Sequence, residues 1–96
     1  MVLRALGDLY TKVGKVEEGL QVDKDLSLLC PFESEVWYNL GCSYALTGRK
    51  EEAFDALDHA IRLGYEDPDW MARDRDLESL REDPRFEKLV KKVARN

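Results

Sequence analysis

The sequence has few of the residues that build covalent or metal-held folds: two cysteines, one histidine and three prolines among 96 residues. A small secreted domain held by disulfides usually carries four or more cysteines, so a disulfide framework is excluded. Cys30 and Cys42 also lack the C-x-x-C spacing of a metal or redox site. We expect two reduced, packed thiols, with a disulfide between them as the alternative. His59 has no second histidine or cysteine at ligand spacing, so the sequence predicts no metal site there.

Long apolar runs and an excess of positive charge are also missing. No run approaches the roughly 20 residues of a membrane helix, and residues 1–10 lack the apolar stretch and cleavage site of a secretory signal. Fifteen Lys and Arg stand against twenty Asp and Glu, a net charge of −5, whereas phosphate binding needs a clustered positive footprint. The hydrophobic fraction of 44% is too high for a disordered acidic tail. We expect a small, helical, cytoplasmic protein without nucleic-acid or membrane partners.

Patterns that carry catalysis or ion binding are absent as well. No Ser–His–Asp or Cys–His arrangement has supporting spacing, and no glycine loop is of the phosphate-binding type. The acidic residues between positions 67 and 83 lack the central glycine and terminal glutamate of a calcium loop. We expect them to be helix caps or solvated faces. The sequence therefore predicts no enzyme activity, no cofactor and no metal.

What the sequence does contain is an internal repeat with a period of 34 residues. Each unit has the three- and four-residue apolar spacing of two helices. The first unit predicts helices over 2–13 and 16–29, with a break at Gly14. The second unit predicts one helix capped by Ser34 and ended by Gly48, and another over 50–63 ended by Gly64. The identical residue pairs that define the period are Leu6 and Leu40, Gly7 and Gly41, Tyr10 and Tyr44, Gly14 and Gly48, Glu17 and Glu51, Glu18 and Glu52, and Leu29 and Leu63.

The spacing of small and large residues explains how the helices of a unit would pack. Gly41 and Ala53 would let two antiparallel helices approach closely, while Trp37 and Tyr44 fill the space beside them. The second helix of this unit has a clear apolar face, formed by Ala53, Phe54, Leu57, Ala60 and Ile61.

The period fails after Gly64, and the remaining segment carries other helix signals. Asp67 and Asp83 each precede a proline, a pattern that starts helices. Between them we expect Trp70 and Met71 to be apolar anchors, and Asp76 to cap a short helix with Leu77 and Leu80 facing inward. The last helix has an apolar face of Phe86, Leu89, Val90 and Val93. Because a repeat array needs an atypical, more polar terminal unit, residues 68–96 are predicted to be that cover.

Residues 37–61 resemble a tetratricopeptide repeat, whose pattern is W-x2-L-G-x2-Y, then A-x3-F, then A and P. Leu57 takes the place of the Phe, and Tyr65 that of the Pro. The first unit matches at Leu6, Gly7, Tyr10 and Pro31 but departs at Leu3, Gly19, Asp23 and Leu26. Residues that match directly in the second unit are Trp37, Leu40, Gly41, Tyr44, Ala53 and Ala60.

The resemblance implies an all-α fold, a right-handed superhelix of two helical hairpins with C-terminal capping helices. Residues 1–33 would form the first repeat, 34–67 the second, and 68–96 a degenerate third unit, in a single domain. Since the first residue falls inside a first helix with no cap before it, we expect the C-terminal end of a longer array.

Proteins of this family bind a peptide or helix of a partner in the concave groove that their first helices form. Tyr38 is expected to point toward that groove. Arg4, Asn39 and Arg73 occupy three of the five positions with which some members clamp a C-terminal carboxylate, but Asp8 and Asp69 at the other two would repel it. By alignment, the groove-lining residues are Arg4, Asp8, Thr11, Lys12, Tyr38, Asn39, Cys42, Ala45, Asp69 and Arg73.

The predicted function is a scaffold or adapter that binds another protein or peptide and has no catalysis of its own. The alternative is a regulatory or self-association module of a larger, enzymatic signalling protein. Self-association would use the apolar face that the N-terminal end of the array leaves open.

Overall fold

The computed structural model describes residues 15–95, which form five α-helices and one 3₁₀ helix in tandem. The described residues contain no strand, so the all-α prediction is confirmed. The predicted helix over 2–13 and the break at Gly14 lie outside the described residues, and the right-handed winding stays a prediction. The elements are α1 (Val16–Leu29), α2 (Ser34–Leu46), α3 (Lys50–Arg62), α4 (Pro68–Arg73), the 3₁₀ helix (Arg75–Leu80) and α5 (Pro84–Ala94).

Two glycines end the helices of the second unit as predicted. Gly48 and Gly64 have φ angles of 77° and 108°, in the left-handed region that residues with a Cβ rarely adopt. The predicted cap at the start of α2 is wrong, however. Glu33 holds the N-cap position without a side-chain cap bond, and Ser34 is the first helical residue. Glu33 has the extended backbone that is usual at an N-cap position.

The α2–α3 hairpin is held by close packing at Gly41. A Cβ atom placed on Gly41 would lie 2.7 Å from both Cγ and Cδ2 of Leu57, so a larger residue at this position could not keep the present distance between the helices. The predicted apolar face of α3 is confirmed, because all five of its members are buried. Trp37 is half-buried, and its indole Nε1 donates a hydrogen bond to the carbonyl of Pro31 (2.8 Å).

One residue at which the first unit departs from the family pattern is polar, and the structure buries it. Asp23 of α1 is only 3% exposed, and it accepts a hydrogen bond from the hydroxyl of Ser43 on α2. Burying a carboxyl group is costly unless it is hydrogen-bonded. The neighbouring helix supplies that hydrogen bond, and Leu20 of α1 packs beside it against Leu40 and Ala56.

The segment from 68 to 95, called the cover below, packs on the hairpin. Asp67 and Asp83 cap α4 and α5 as predicted, accepting hydrogen bonds from the backbone nitrogens of Trp70 and Arg85. Asp76 is not the cap of the short helix. Asp74 is, because its side chain accepts from the backbone nitrogen of Asp76 (3.0 Å).

Apolar side chains from all three helices of the cover enter one core with the hairpin. Trp70 is an exception to the prediction of two anchors in α4, because it is 48% exposed whereas Met71 is fully buried. The residues that the cover contributes to this core are Met71, Leu77, Leu80, Phe86, Leu89 and Val93.

Ion pairs also join α3 to α5 at the surface. Arg85 contacts Glu51 at 2.8 Å, and Lys92 contacts Asp58 at 2.6 Å. Exposed pairs of this kind contribute about 0–1 kcal/mol each, so the buried apolar side chains contribute most of the stability of the cover.

Candidate partner-binding site

The structure separates the predicted groove residues into three groups. Arg4, Asp8, Thr11 and Lys12 lie outside the described residues. Asp69 and Arg73 are exposed on α4, and Asn39 is half-buried on α2. Tyr38, Cys42 and Ala45 are buried, at 5%, 6% and 4% exposure. In contrast to the expected open groove, the cover lies directly on these three residues.

Tyr38 is buried where α2 meets the cover, and it forms a hydrogen bond with the cover. Its hydroxyl donates to Oδ2 of Asp74 at 2.6 Å, and the thiol of Cys42 donates to the same oxygen at 3.8 Å. Asp74 is itself 7% exposed, and its other oxygen accepts from the backbone of Asp76. The guanidinium of Arg81 donates to the carbonyl of Asp74 at 2.9 Å. A single aspartate therefore joins α2 to the 3₁₀ helix, and we call this set of bonds the Asp74 network.

Burial keeps the donors of the Asp74 network protonated. It raises the pKa of Tyr38 far above its ordinary value, and the hydrogen bond to Asp74 acts in the same direction. Burial likewise raises the pKa of the Cys42 thiol, with the nearby carboxyl of Asp74 as the next cause. Both groups therefore remain neutral donors at neutral pH.

The ligand atoms of Cys42, Asp74 and Asp76 lie within 4.8 Å of one another, a spacing that a metal ion could use. Metal binding to a cysteine requires the thiolate, and the raised pKa of Cys42 disfavours that form. The Asp74 oxygen that faces the thiol also accepts the Tyr38 hydroxyl. The arrangement fits a structural hydrogen-bond network better than a metal centre.

A cleft lies beside this network, between the start of α2 and the start of α4. Its volume is about 440 Å³, within the range of ligand-binding pockets. Tyr38 and Asn39 of the predicted groove line it, as does Trp70. Sequence reasoning missed the loop that supplies the rest of the wall. The sequence analysis assigned Asp67 to a helix cap and gave Glu66 no role, whereas both residues line the cleft together with the start of α2. The lining residues are Ser34, Glu35, Tyr38, Asn39, Gly64, Tyr65, Glu66, Asp67 and Trp70.

Tyr65 forms part of the cleft wall. Its ring stacks on that of Tyr38, with centroids 4.4 Å apart and planes 6° from parallel. The residue is 9% exposed, and its hydroxyl has no hydrogen-bond partner among the described residues. Burial raises the pKa of Tyr65 to about 12, so the hydroxyl is protonated at neutral pH. Tyr65 thus lines the cleft while its hydroxyl oxygen is buried.

The single histidine lies away from the cleft. The ring of His59 is edge-on to Trp37, with centroids 4.2 Å apart, and the residue is half-buried on α3. This contact gives His59 a packing role.

These features define a helical-repeat protein: an antiparallel hairpin with a close glycine contact, glycine-ended helices and a cleft between α2 and α4. Residues 34–67 match the family model of the tetratricopeptide repeat. Residues 34–67 of this chain are therefore a repeat of the tetratricopeptide-repeat family. Repeats of this family generally mediate protein–protein interaction.

A curated relative is a protein from Arabidopsis thaliana whose name carries the designation "chloroplastic". It is 35% identical over 85 residues, which is 85% of this chain and 25% of the relative. The chain therefore spans about a quarter of the length of that protein. Among the described helices, none has the length and apolar content needed to cross a bilayer.

Proposed function

We propose that the chain is a protein–protein interaction module, a scaffold or adapter that binds a peptide or helix of a partner protein in the cleft between α2 and α4. The observation that carries the proposal is the cleft itself. It lies on the side of α2 that bears Asn39, and its rim holds Trp70, a large aromatic residue that is 48% exposed. Exposed aromatic residues beside a concavity are typical of sites where partners gain most of their binding energy.

The proposal includes no catalysis by this chain. Two of the described side chains that could serve as acid, base or nucleophile have structural roles. His59 packs on Trp37, and the Cys42 thiol is buried as a hydrogen-bond donor to Asp74. Neither group faces the cleft.

The test compares partner capture by the full chain with capture by two alanine variants, each of which removes an exposed apolar side chain. Trp70→Ala removes the rim of the cleft, and Leu28→Ala removes an exposed apolar side chain on α1, which is 80% exposed. We expect a partner that wild type retains to be lost with Trp70→Ala and kept with Leu28→Ala. The reverse result would reject the cleft. Tyr38→Ala is unsuitable here, because Tyr38 is buried and its loss would destabilise the fold.

A second candidate, self-association, is favoured by an apolar corner between α1 and α2. Leu28, Leu29 and Phe32 are 80%, 66% and 83% exposed, and exposed apolar clusters mark interaction surfaces. Sedimentation velocity at several concentrations tests this candidate. A strict monomer at the highest concentration would reject it, and a dimer that Phe32→Ser abolishes would support it.

The cytoplasmic location stays a prediction. The relative from Arabidopsis thaliana carries a chloroplast designation in its name, which favours an organellar location as the alternative. Imaging the protein expressed from its complete gene with a fluorescent tag at the C-terminus would decide between the two.

A further inference from the structure

The cleft between α2 and α4 is acidic. Its lining includes the carboxyl groups of Glu35, Glu66 and Asp67 and, among the described residues, no lysine, arginine or histidine. Asp67 uses one oxygen to cap α4. Carboxylates gathered along a concave wall attract cations more strongly than the same charges on a flat surface do, because the low-dielectric walls focus the field. The charge of the cleft therefore selects against an acidic occupant.

The aromatic rim has the same preference. Trp70 presents an exposed indole face beside these carboxylates, and tryptophan is the best side chain for binding a cation over its ring. The guanidinium of Arg73 already lies 6.0 Å from the centre of that ring. Arg73 therefore takes up part of the ring, and because Trp70 is still 48% exposed, an incoming cation would use the remaining surface beside the carboxylates.

The wall also offers a neutral hydrogen-bonding group, although the hydroxyl oxygen of Tyr65 is buried and closed to a partner. The amide of Asn39, half-buried on the same wall, can both donate and accept. Groups of this kind suit the carbonyl and N–H groups of a peptide backbone, whereas the carboxylates suit its side chain.

We propose that the occupant of the cleft is a basic segment of a partner protein, which places a lysine or arginine side chain between Trp70 and the carboxylates of Glu66 and Asp67. This inference rests on the proposed interaction function and adds the chemistry of the partner. The proposal excludes a partner that places a free C-terminal carboxylate in the cleft, since the three carboxylates of the lining would repel it.

The test uses the full chain labelled with ¹⁵N and two blocked peptides of the same length, one alternating glycine with lysine and the other alternating glycine with glutamate. The readout is the indole N–H signal of Trp70, assigned with Trp70→Phe. Trp37 is an internal control, because its indole is bonded to Pro31 and does not line the cleft. We expect the lysine peptide to shift the Trp70 signal saturably and the glutamate peptide to leave it unchanged.

Matched charge variants locate the effect. Glu66→Gln and Asp67→Asn each remove one carboxylate of the cleft, and asparagine retains the ability to cap a helix. Each should weaken the lysine peptide by about two- to fivefold, the range for exposed charge pairs. Glu82→Gln makes the same change in net charge at an exposed position outside the cleft and should leave the affinity nearly unchanged.

Three results would overturn the inference. The first is the absence of a saturable shift with up to about 10 mM lysine peptide, a concentration well above a Kd of about 1 mM. The others are equal binding of the glutamate peptide and equal weakening of the lysine peptide by Glu82→Gln. The proposed function would fail separately. A captured partner that is lost with Trp70→Ala but unaffected by Glu66→Gln and Asp67→Asn would keep the function and reject the cationic partner.

Discussion

The α2–α3 hairpin and the cover are both helical, but different contacts hold them in place. The hairpin packs helix against helix where Gly41 meets the apolar side chain of Leu57. The cover is shorter in its elements, with α4 and the 3₁₀ helix of six residues each. It adds a buried polar network centred on Asp74 to its apolar contacts. Apolar packing tolerates a range of orientations, whereas a buried hydrogen bond fixes one. The hairpin can therefore follow a general repeat pattern, while the cover fits this particular surface.

The largest expected effect comes from Leu57→Ala, which weakens both regions. Leu57 is fully buried, lies against Gly41 and belongs to the core that the hairpin shares with the cover. Truncating a buried leucine lowers the free energy of unfolding by about 2–5 kcal/mol. Urea unfolding monitored by circular dichroism measures the loss. Leu28→Ala is the same change at an 80% exposed position and should stay within about 0.5 kcal/mol of wild type. Equal losses in the two variants would contradict the assigned core.

The next effect separates the cover from the hairpin. Tyr38→Phe removes the hydroxyl that donates to Asp74 and should cost about 1.5–3 kcal/mol, because a buried hydrogen bond to a charged group is lost. Tyr65→Phe removes the same atom from the ring stacked on Tyr38, where the hydroxyl has no partner among the described residues. That change should be neutral or slightly stabilising. If the two variants unfold at the same urea concentration, the Asp74 network does not hold the cover.

A smaller effect on stability concerns the hairpin alone, and its sign depends on whether Leu57 is present. Gly41→Ala places a Cβ atom 2.7 Å from Leu57. Overpacking costs about 1–3 kcal/mol, whereas alanine gains about 1 kcal/mol over glycine within a helix. We expect a net loss of up to about 2 kcal/mol in wild type. In the Leu57→Ala background the same change should stabilise. A double-mutant cycle from urea unfolding measures this coupling, and additive effects would mean that the two residues do not touch.

The smallest effect is a pH dependence that belongs to the buried thiol of Cys42. Its pKa is raised in the folded state, so the unfolded chain releases this proton first, near pH 9.0. The contribution to stability is fully present below that pH and is lost as the pH rises, by about 1 kcal/mol between pH 9 and 10. Cys42→Ala should flatten the decline in that window. Tyr65→Phe should change it only above about pH 10, where an unfolded tyrosine ionises. Parallel declines in wild type and Cys42→Ala would contradict the assignment.

The elements of the hairpin could be predicted because their signals are local. Apolar residues recur every three or four positions in α3, and Gly48 and Gly64 mark the helix ends directly. Caps were harder to predict wherever two suitable residues lie close together. Asp74 and Asp76 are both capable of capping. The choice between them depends on which carboxyl group the donors Tyr38 and Cys42 of α2 hold in the interior. Local pattern therefore identified the caps Asp67 and Asp83 but could not choose between Asp74 and Asp76.

The candidate site was harder to predict because it depends on contacts between distant residues. The bond from Tyr38 to Asp74 spans 36 positions, and nothing near Tyr38 in the sequence indicates that a cover lies on it. Asn39, one of the predicted groove residues, lines the cleft. The loop of Glu66 and Asp67 lines the same cleft, between the starts of α2 and α4. The sequence left the position of this loop undefined, because Tyr65 departs from the repeat pattern.

The Asp74 network also limits how far this chain can be recombined. Asp74 needs the phenol of Tyr38 and the thiol of Cys42, which belong to the preceding repeat and not to the cover. A cover transplanted onto a designed repeat with other residues at those two places would leave Oδ2 of the buried Asp74 carboxyl without its two donors. A chimera that exchanges the terminal segment must therefore transfer Tyr38 and Cys42 with it, and the natural unit of exchange is α2 through α5.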